Sequence, residues 1–126
     1  MGTEENKAVV HRFMTEVLAN ANVDVVDDVL ASNYVNVAMG DADRAGAKAM
    51  VTATHGVMKE QRYEDVELVA EGDAVFARFK WSFTLPDGTE STFRTLAYYR
   101  LANDKIALND VMFDPDLMQV LGPFLQ

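Results

Sequence analysis

Apolar residues in the first part of the chain recur at helical intervals. Val10, Phe13, Met14, Val17 and Leu18 fall on one stripe, which predicts an amphipathic helix from about Glu4 to Asn20. Asn22 is placed to cap a second, short helix that buries Val23, Val26, Val29 and Leu30. After "SNYVNVAMGD", Asp43 is a fair cap for a third helix carrying Ala47, Met50, Val51, Thr54, Val57 and Met58. Past residue 60 the period changes to two. Val66, Leu68 and Ala70 alternate, "EGD" turns, and Val75, Ala77, Phe79, Trp81, Phe83 and Leu85 mark a long strand. "PDGT" predicts a hairpin with a two-residue Asp87-Gly88 turn, followed by a strand from Thr89 to Leu101. "AND" turns again, and the last strand runs from Lys105 to Phe113. In "DPDLMQVLGP", Asp114 is the expected N-cap, Pro115 the first helical residue and Asp116 a first-turn acid, with Gly122-Pro123 as the stop. Helices first and an antiparallel meander second give an α+β fold, a curved sheet with helices on one face.

Turn length fixes register, and register fixes faces. A two-residue Asp87-Gly88 turn sets Trp81 opposite Arg94, Phe79 opposite Leu96 and Ala77 opposite Tyr98. A two- or four-residue turn at Asn103-Asp104 then sets Arg94 opposite Phe113, Leu96 opposite Val111 and Tyr98 opposite Asn109. Those residues make the face that the helices cover. The other face holds Phe76, Arg78, Lys80, Phe93, Ala97, Tyr99, Leu108, Asp110 and Met112 among others. It is too apolar for a wet surface, which predicts a homodimer joined through the outer sheet face.

Composition narrows the partners. The 126 residues carry a formal charge of −9, which argues against nucleic acid and anionic membranes. With 49% hydrophobic residues the chain can build a core, and its length fits a single domain over residues 1–126. The absence of cysteine excludes disulfides and thiolate metal sites, and it fits a cytoplasmic location. The N-terminus lacks a signal pattern, and no apolar run approaches the roughly 20 residues of a membrane span. His11 and His55 are too far apart for a recognisable metal spacing, and no glycine-rich phosphate loop is present. Neither metal nor organic cofactor is expected.

The order of these pieces adds a resemblance. "ENKAVVHRFMTEVLANANVDVVDDVLASNYVNV" resembles the opening of the SnoaL-like polyketide cyclase family, within the nuclear transport factor 2-like superfamily. "ELVAEGDAVFARFKWSFTL" and "STFRTLAYYRLANDKIA" resemble its central strands, and the closing Asp with "LMQVLG" resembles its final segment. The resemblance implies a cone-shaped, strongly bent antiparallel sheet wrapped around the N-terminal helices, a cystatin-like roll. A hydrophobic pocket for a small apolar molecule would open on its concave side. It also implies a cofactor-independent acid-base activity, of the cyclase, isomerase or dehydratase type, on a carbonyl compound. The chain departs from the family where a His often follows the "YV" (here Tyr34-Val35-Asn36-Val37). It departs again in the last strand, which reads Leu108, Asn109 and Asp110 in place of Glu or His plus Trp.

Asp114 matches the family's catalytic Asp, and its other reading is the helix cap alone. Arg94 would orient a carboxylate or enolate oxygen, or else pair with an acid such as Asp114 or Asp43 with its stem on Trp81. Asn109 and Tyr98 would donate to a carbonyl, or else satisfy each other or a buried water. His55 would be a proton shuttle near the mouth, or a structural or exposed residue. Tyr34, Trp81 and Phe113 complete the expected pocket lining. The rivals to an enzyme are a non-catalytic small-molecule binder and a protein-interaction module.

Overall fold

The apolar stripe of the first segment becomes a helix that covers the core. In the structure, a computed structural model that describes residues 2–125, α1 (Thr3–Arg12) runs on into wider π-type turns over Phe13–Ala19. Val10, Phe13, Met14 and Val17 are buried along it. Asn6 ties α1 to the sheet, its Nδ2 donating to the Gly72 carbonyl at 3.0 Å. A 3-10 turn (Val23–Val25) leads into α2 (Val26–Val29). Asn22 makes no side-chain cap there, because its own carbonyl takes the Val25 N–H. The third helix, α3 (Arg44–His55), starts as expected. Asp43 Oδ1 accepts from the Gly46 N–H at 2.9 Å, and Ala47, Val51 and Thr54 are buried.

Five strands form one curled, unclosed sheet in the order β1-β5-β4-β3-β2. They are β1 (Leu30–Asn36), β2 (Lys59–Glu71), β3 (Ala74–Thr84), β4 (Glu90–Ala102) and β5 (Lys105–Asp114). Strands β2 to β5 are the antiparallel meander that the alternation predicts. β1 is an addition: it pairs parallel to β5, so the sheet is mixed. Two register shifts in β2, near the positive-φ residues Glu60 and Asp65, bend the sheet around the helices.

The observed register corrects one strand. Leu85 and Thr89 close the β3–β4 hairpin, so its loop has three residues, Pro86, Asp87 and Gly88, with Gly88 at φ +88°. Trp81 therefore faces Phe93, Phe79 faces Thr95 and Ala77 faces Ala97. One extra residue moves every β4 side chain to the face opposite the expected one. Phe93, Thr95, Ala97 and Tyr99 are buried under the helices, and Arg94, Leu96 and Tyr98 point outward. β5 keeps its expected faces. Its turn has two residues, Asn103 and Asp104, both at positive φ, but Ala107 is an extra residue opposite β4. The two shifts cancel, so Asn109, Val111 and Phe113 face the helices and Asp110 faces out.

The C-terminal helix α4 (Leu117–Leu121) is capped by Asp116, whose Oδ1 accepts from the Met118 N–H at 2.9 Å. Asp114 is not the cap. It is still paired with Arg94 as the last residue of β5, so the chain leaves the sheet later than the Asp-Pro signal suggests.

Candidate functional site

Inward positions of β1 and β5 meet where these strands run parallel. Tyr34 and Asn36 alternate inward on β1, and Asn36 is the register partner of Asn109. All three are more than nine-tenths buried. Asn109 Nδ2 donates to the Tyr34 hydroxyl oxygen at 3.2 Å. The Oδ1 atoms of Asn36 and Asn109 are buried without a hydrogen-bond partner. Farther along the same concave face, Thr95 Oγ1 and the Tyr63 hydroxyl are in the same condition. Each such atom costs about 1–3 kcal/mol. Buried water or a ligand would satisfy such atoms.

Between and around these atoms the face is small or aromatic. Ala77 and Ala97 are paired at its middle, and Thr95 lies between Phe79 and Phe113. Trp81 lies tilted against Phe113 and Phe93, with ring centroids 5.4 and 5.8 Å away, and its Nε1 donates to Gln61 Oε1 at 3.2 Å. Among the described residues no charged side chain is buried. The titratable groups of this face are phenols. Burial raises the pKa of Tyr34, against the opposing hydrogen bond from Asn109, and it raises those of Tyr63 and Tyr99 as well. They remain neutral hydroxyls, able to donate and accept. Among the described residues no three His, Asp or Glu side chains gather as a metal site requires.

The expected site residues divide between the two sides of the sheet. Tyr34, Asn109, Trp81 and Phe113 are on the concave face. Arg94 is not: its side chain is 85% exposed, and its Nη2 lies 2.6 Å from Asp114 Oδ2, itself on a side chain 66% exposed. The ion-pair reading of Arg94 therefore holds, but without Trp81, which lies across the sheet. Tyr98 is also outside, packed on Phe76 at 5.0 Å with the Arg100 guanidinium 5.7 Å from its ring. The tyrosine opposite Asn109 is Tyr99. His55 is exposed, since the inward stripe of α3 passes through Thr54 and the next residue turns about 100° away. His11 is exposed too. Asn36, Thr95 and Tyr63 are the members that sequence reasoning misses. Their one signal is polarity at an inward position.

Two open grooves, of about 820 and 510 Å³, lie on the outer face between rows of side chains such as Arg78, Arg94, Leu96 and Met112. The larger groove also touches Phe79, Thr95 and Phe113, so it reaches one residue with an unpaired polar atom, while Tyr34, Asn36, Tyr63 and Asn109 line neither groove. The buried atoms are the better guide to a small-molecule site, because an open groove between exposed side chains imposes no desolvation cost that a ligand would relieve.

No curated protein matches the sequence. Among solved structures, TsrD from Streptomyces laurentii is similar with a TM-score of 0.80 at 15% identity, over 97% of this chain and 98% of that one. A SnoaL-like polyketide cyclase from Agrobacterium tumefaciens gives 0.78 at 16%, over 95% and 98%. An NTF2-like protein of unknown function from Burkholderia pseudomallei gives 0.75 at 15%, over 97% of each chain. At such identities the likeness establishes the fold. The sequence profile of the SnoaL-like domain matches residues 10–109, most of the chain, and the chain belongs to that family.

Proposed function

We propose that the chain binds a small neutral molecule on its concave face, with Asn109 and Tyr34 as polar anchors and Trp81 and Phe113 as the apolar wall. The observation that carries this reading is the group of four buried, unpaired polar atoms on that face. A ligand with matching groups would offset their desolvation cost. Tyr34 accepts from Asn109 and keeps its own proton to donate, so it can polarise a carbonyl oxygen. General acid-base catalysis most often uses His, Asp or Glu, and the phenols of this face act as bases only when ionised, which their raised pKa values oppose near neutral pH. Asp114 and His55, the candidates for that role, are exposed and belong to other surfaces. Binding is therefore better supported than acid-base turnover.

Trp81 is the only tryptophan and so reports on this site. Naphthol should quench its fluorescence saturably. Naphthoate should bind at least about tenfold more weakly, since its carboxylate would be buried without a cation. Asn109→Leu should weaken naphthol binding by about tenfold, the worth of one such anchor. Equal affinities for the wild type and this variant would sink the proposal.

The reading includes an assembly of two copies through the outer sheet face. Val69, Phe76, Leu96 and Met112 are 62%, 53%, 57% and 71% exposed, on four adjacent strands of one face. Contiguous exposed apolar side chains of this kind mark contact surfaces.

A further inference from the structure

We infer that the larger outer groove seats the Phe76–Tyr98 ridge of a second copy, and that the seating is reciprocal. This rests on the outer-face pairing proposed above and names the residues that meet. On this face alternate residues stand up in rows that cross the strands, about 7 Å apart along each strand. The register gives three neighbouring rows, Phe76–Tyr98–Asp110, Arg78–Leu96–Met112 and Lys80–Arg94–Asp114. The groove of about 820 Å³ runs between the second and third rows, above Phe79, Thr95 and Phe113. The groove of about 510 Å³ runs between the first and second, above Ala77 and Ala97. The face is a set of parallel ridges, and a copy of itself has the spacing to mesh with it.

A twofold axis across the strands stacks β3 on β3 and β4 on β4, reverses the order of the rows and makes each contact twice. With the middle row in the partner's smaller groove, the aromatic row falls in the partner's larger one. The opposite shift would drop Lys80 and Arg94 between Arg78 and the apolar surface of Phe76, Ala77 and Ala97, where charges lose water without gaining partners. The first arrangement lays Leu96 over Ala97. It also sets the Phe76 ring between Arg78 and Lys80 and brings Tyr98 beside Arg94, so cations meet ring faces. One such contact already exists within the chain, the Arg100 guanidinium lying 5.7 Å from the Tyr98 ring. Phe76 packs on Tyr98 at 5.0 Å and is 53% exposed, so the ridge is preformed and open. Two twisted sheets cross at about 30°, which confines the meshing to β3 and β4 and leaves Asp110 and Asp114 at its margin.

The test is the sign of a charge placed at Phe76. In sedimentation equilibrium at low salt, Phe76→Lys should dimerise at least about tenfold more weakly than Phe76→Glu, because the partner's Arg78 and Lys80 repel one and attract the other. Net charge alone predicts the reverse order, since Lys relieves the −9 of the chain and Glu deepens it. The gap should shrink as salt rises. Equal dimer constants for the two variants, or a tighter Lys variant, would overturn the inference and leave the outer-face pairing standing. A wild type that stays monomeric would remove both. Should either variant fail to fold by far-UV circular dichroism, Tyr98→Lys and Tyr98→Glu make the same comparison against Arg94.

Discussion

Asp27 shows how a single exposed carboxylate can organise three elements. Its Oδ1 lies 2.9 Å from Lys48 Nζ and 3.2 Å from Arg44 Nε, both on α3, while its carbonyl accepts from Lys105 Nζ of β5 at 2.7 Å. The hydrogen bond from Lys48 is the main cause that holds its carboxyl below the usual aspartate range, with the charges of Arg44, Lys48 and Lys105 adding to it. A lowered folded-state pKa means that the unfolded chain takes up the proton first. The stabilisation is therefore present above the ordinary aspartate value and is lost as pH falls toward the folded-state value. Asp27→Asn should lower Tm at neutral pH, and the gap between variant and wild type should close on acidification. A gap that stays constant down to acid pH would show that the carboxylate's charge is not what the three cations read. Asp114 and Asp116 carry the complementary lesson at this scale. Both follow helix-start grammar, and only the extent of strand pairing decides that Asp116 caps while Asp114 pairs with Arg94.

At the scale of elements, the sheet's faces depend on loop arithmetic. Gly88 holds φ +88° in the β3–β4 loop, with open space where a Cβ would go. Gly88→Ala would meet no clash, so its cost is the backbone term alone, about 1–2 kcal/mol. Urea denaturation should show that loss with the m-value unchanged. A neutral result would mean that another loop geometry serves equally well. The helices and the meander were legible because period and caps agreed along them, as with Val10 to Leu18 or Asp43 before α3. The register of β4 was not, because "PDGT" suits a two- or a three-residue loop and the choice moves every side chain across the sheet. Phe93 and Leu96 are equally apolar, so composition could not reveal the error. β1 was missed for a different reason. Its inward positions include Asn36, and a polar residue there breaks the alternation that identifies a strand. Broken local rules of this kind concentrate at sites kept for function. Tyr34 and Asn109 could be found from sequence, while their neighbour Asn36 was hidden by the chemistry that makes it interesting.

For the whole molecule, a charge of −9 works against any self-association, so the proposed pairing must use a surface where that repulsion is weakest. The outer sheet face meets this condition. Arg78, Lys80, Arg94 and Arg100, four of the eleven basic residues, project from it on β3 and β4. Glu67 and Asp114 neutralise two of them within the face. The apolar side chains of Val69, Phe76, Leu96 and Met112 lie among these charges, and although Glu64, Glu71, Glu90 and Asp110 share the face, its acids and bases nearly balance, unlike those of the whole chain. Leu96→Glu adds a charge at the middle of this surface, at a side chain that the monomer's core does not use. The wild type should sediment as a dimer, and added salt should preserve or tighten it, since screening relieves the overall repulsion. The variant should sediment as a monomer with an unchanged far-UV circular dichroism spectrum. Naphthol binding should survive in it, because the concave face lies across the sheet from Leu96. A monomeric wild type at all accessible concentrations would refute the pairing, and loss of ligand binding in a folded Leu96→Glu monomer would show that the two faces are coupled.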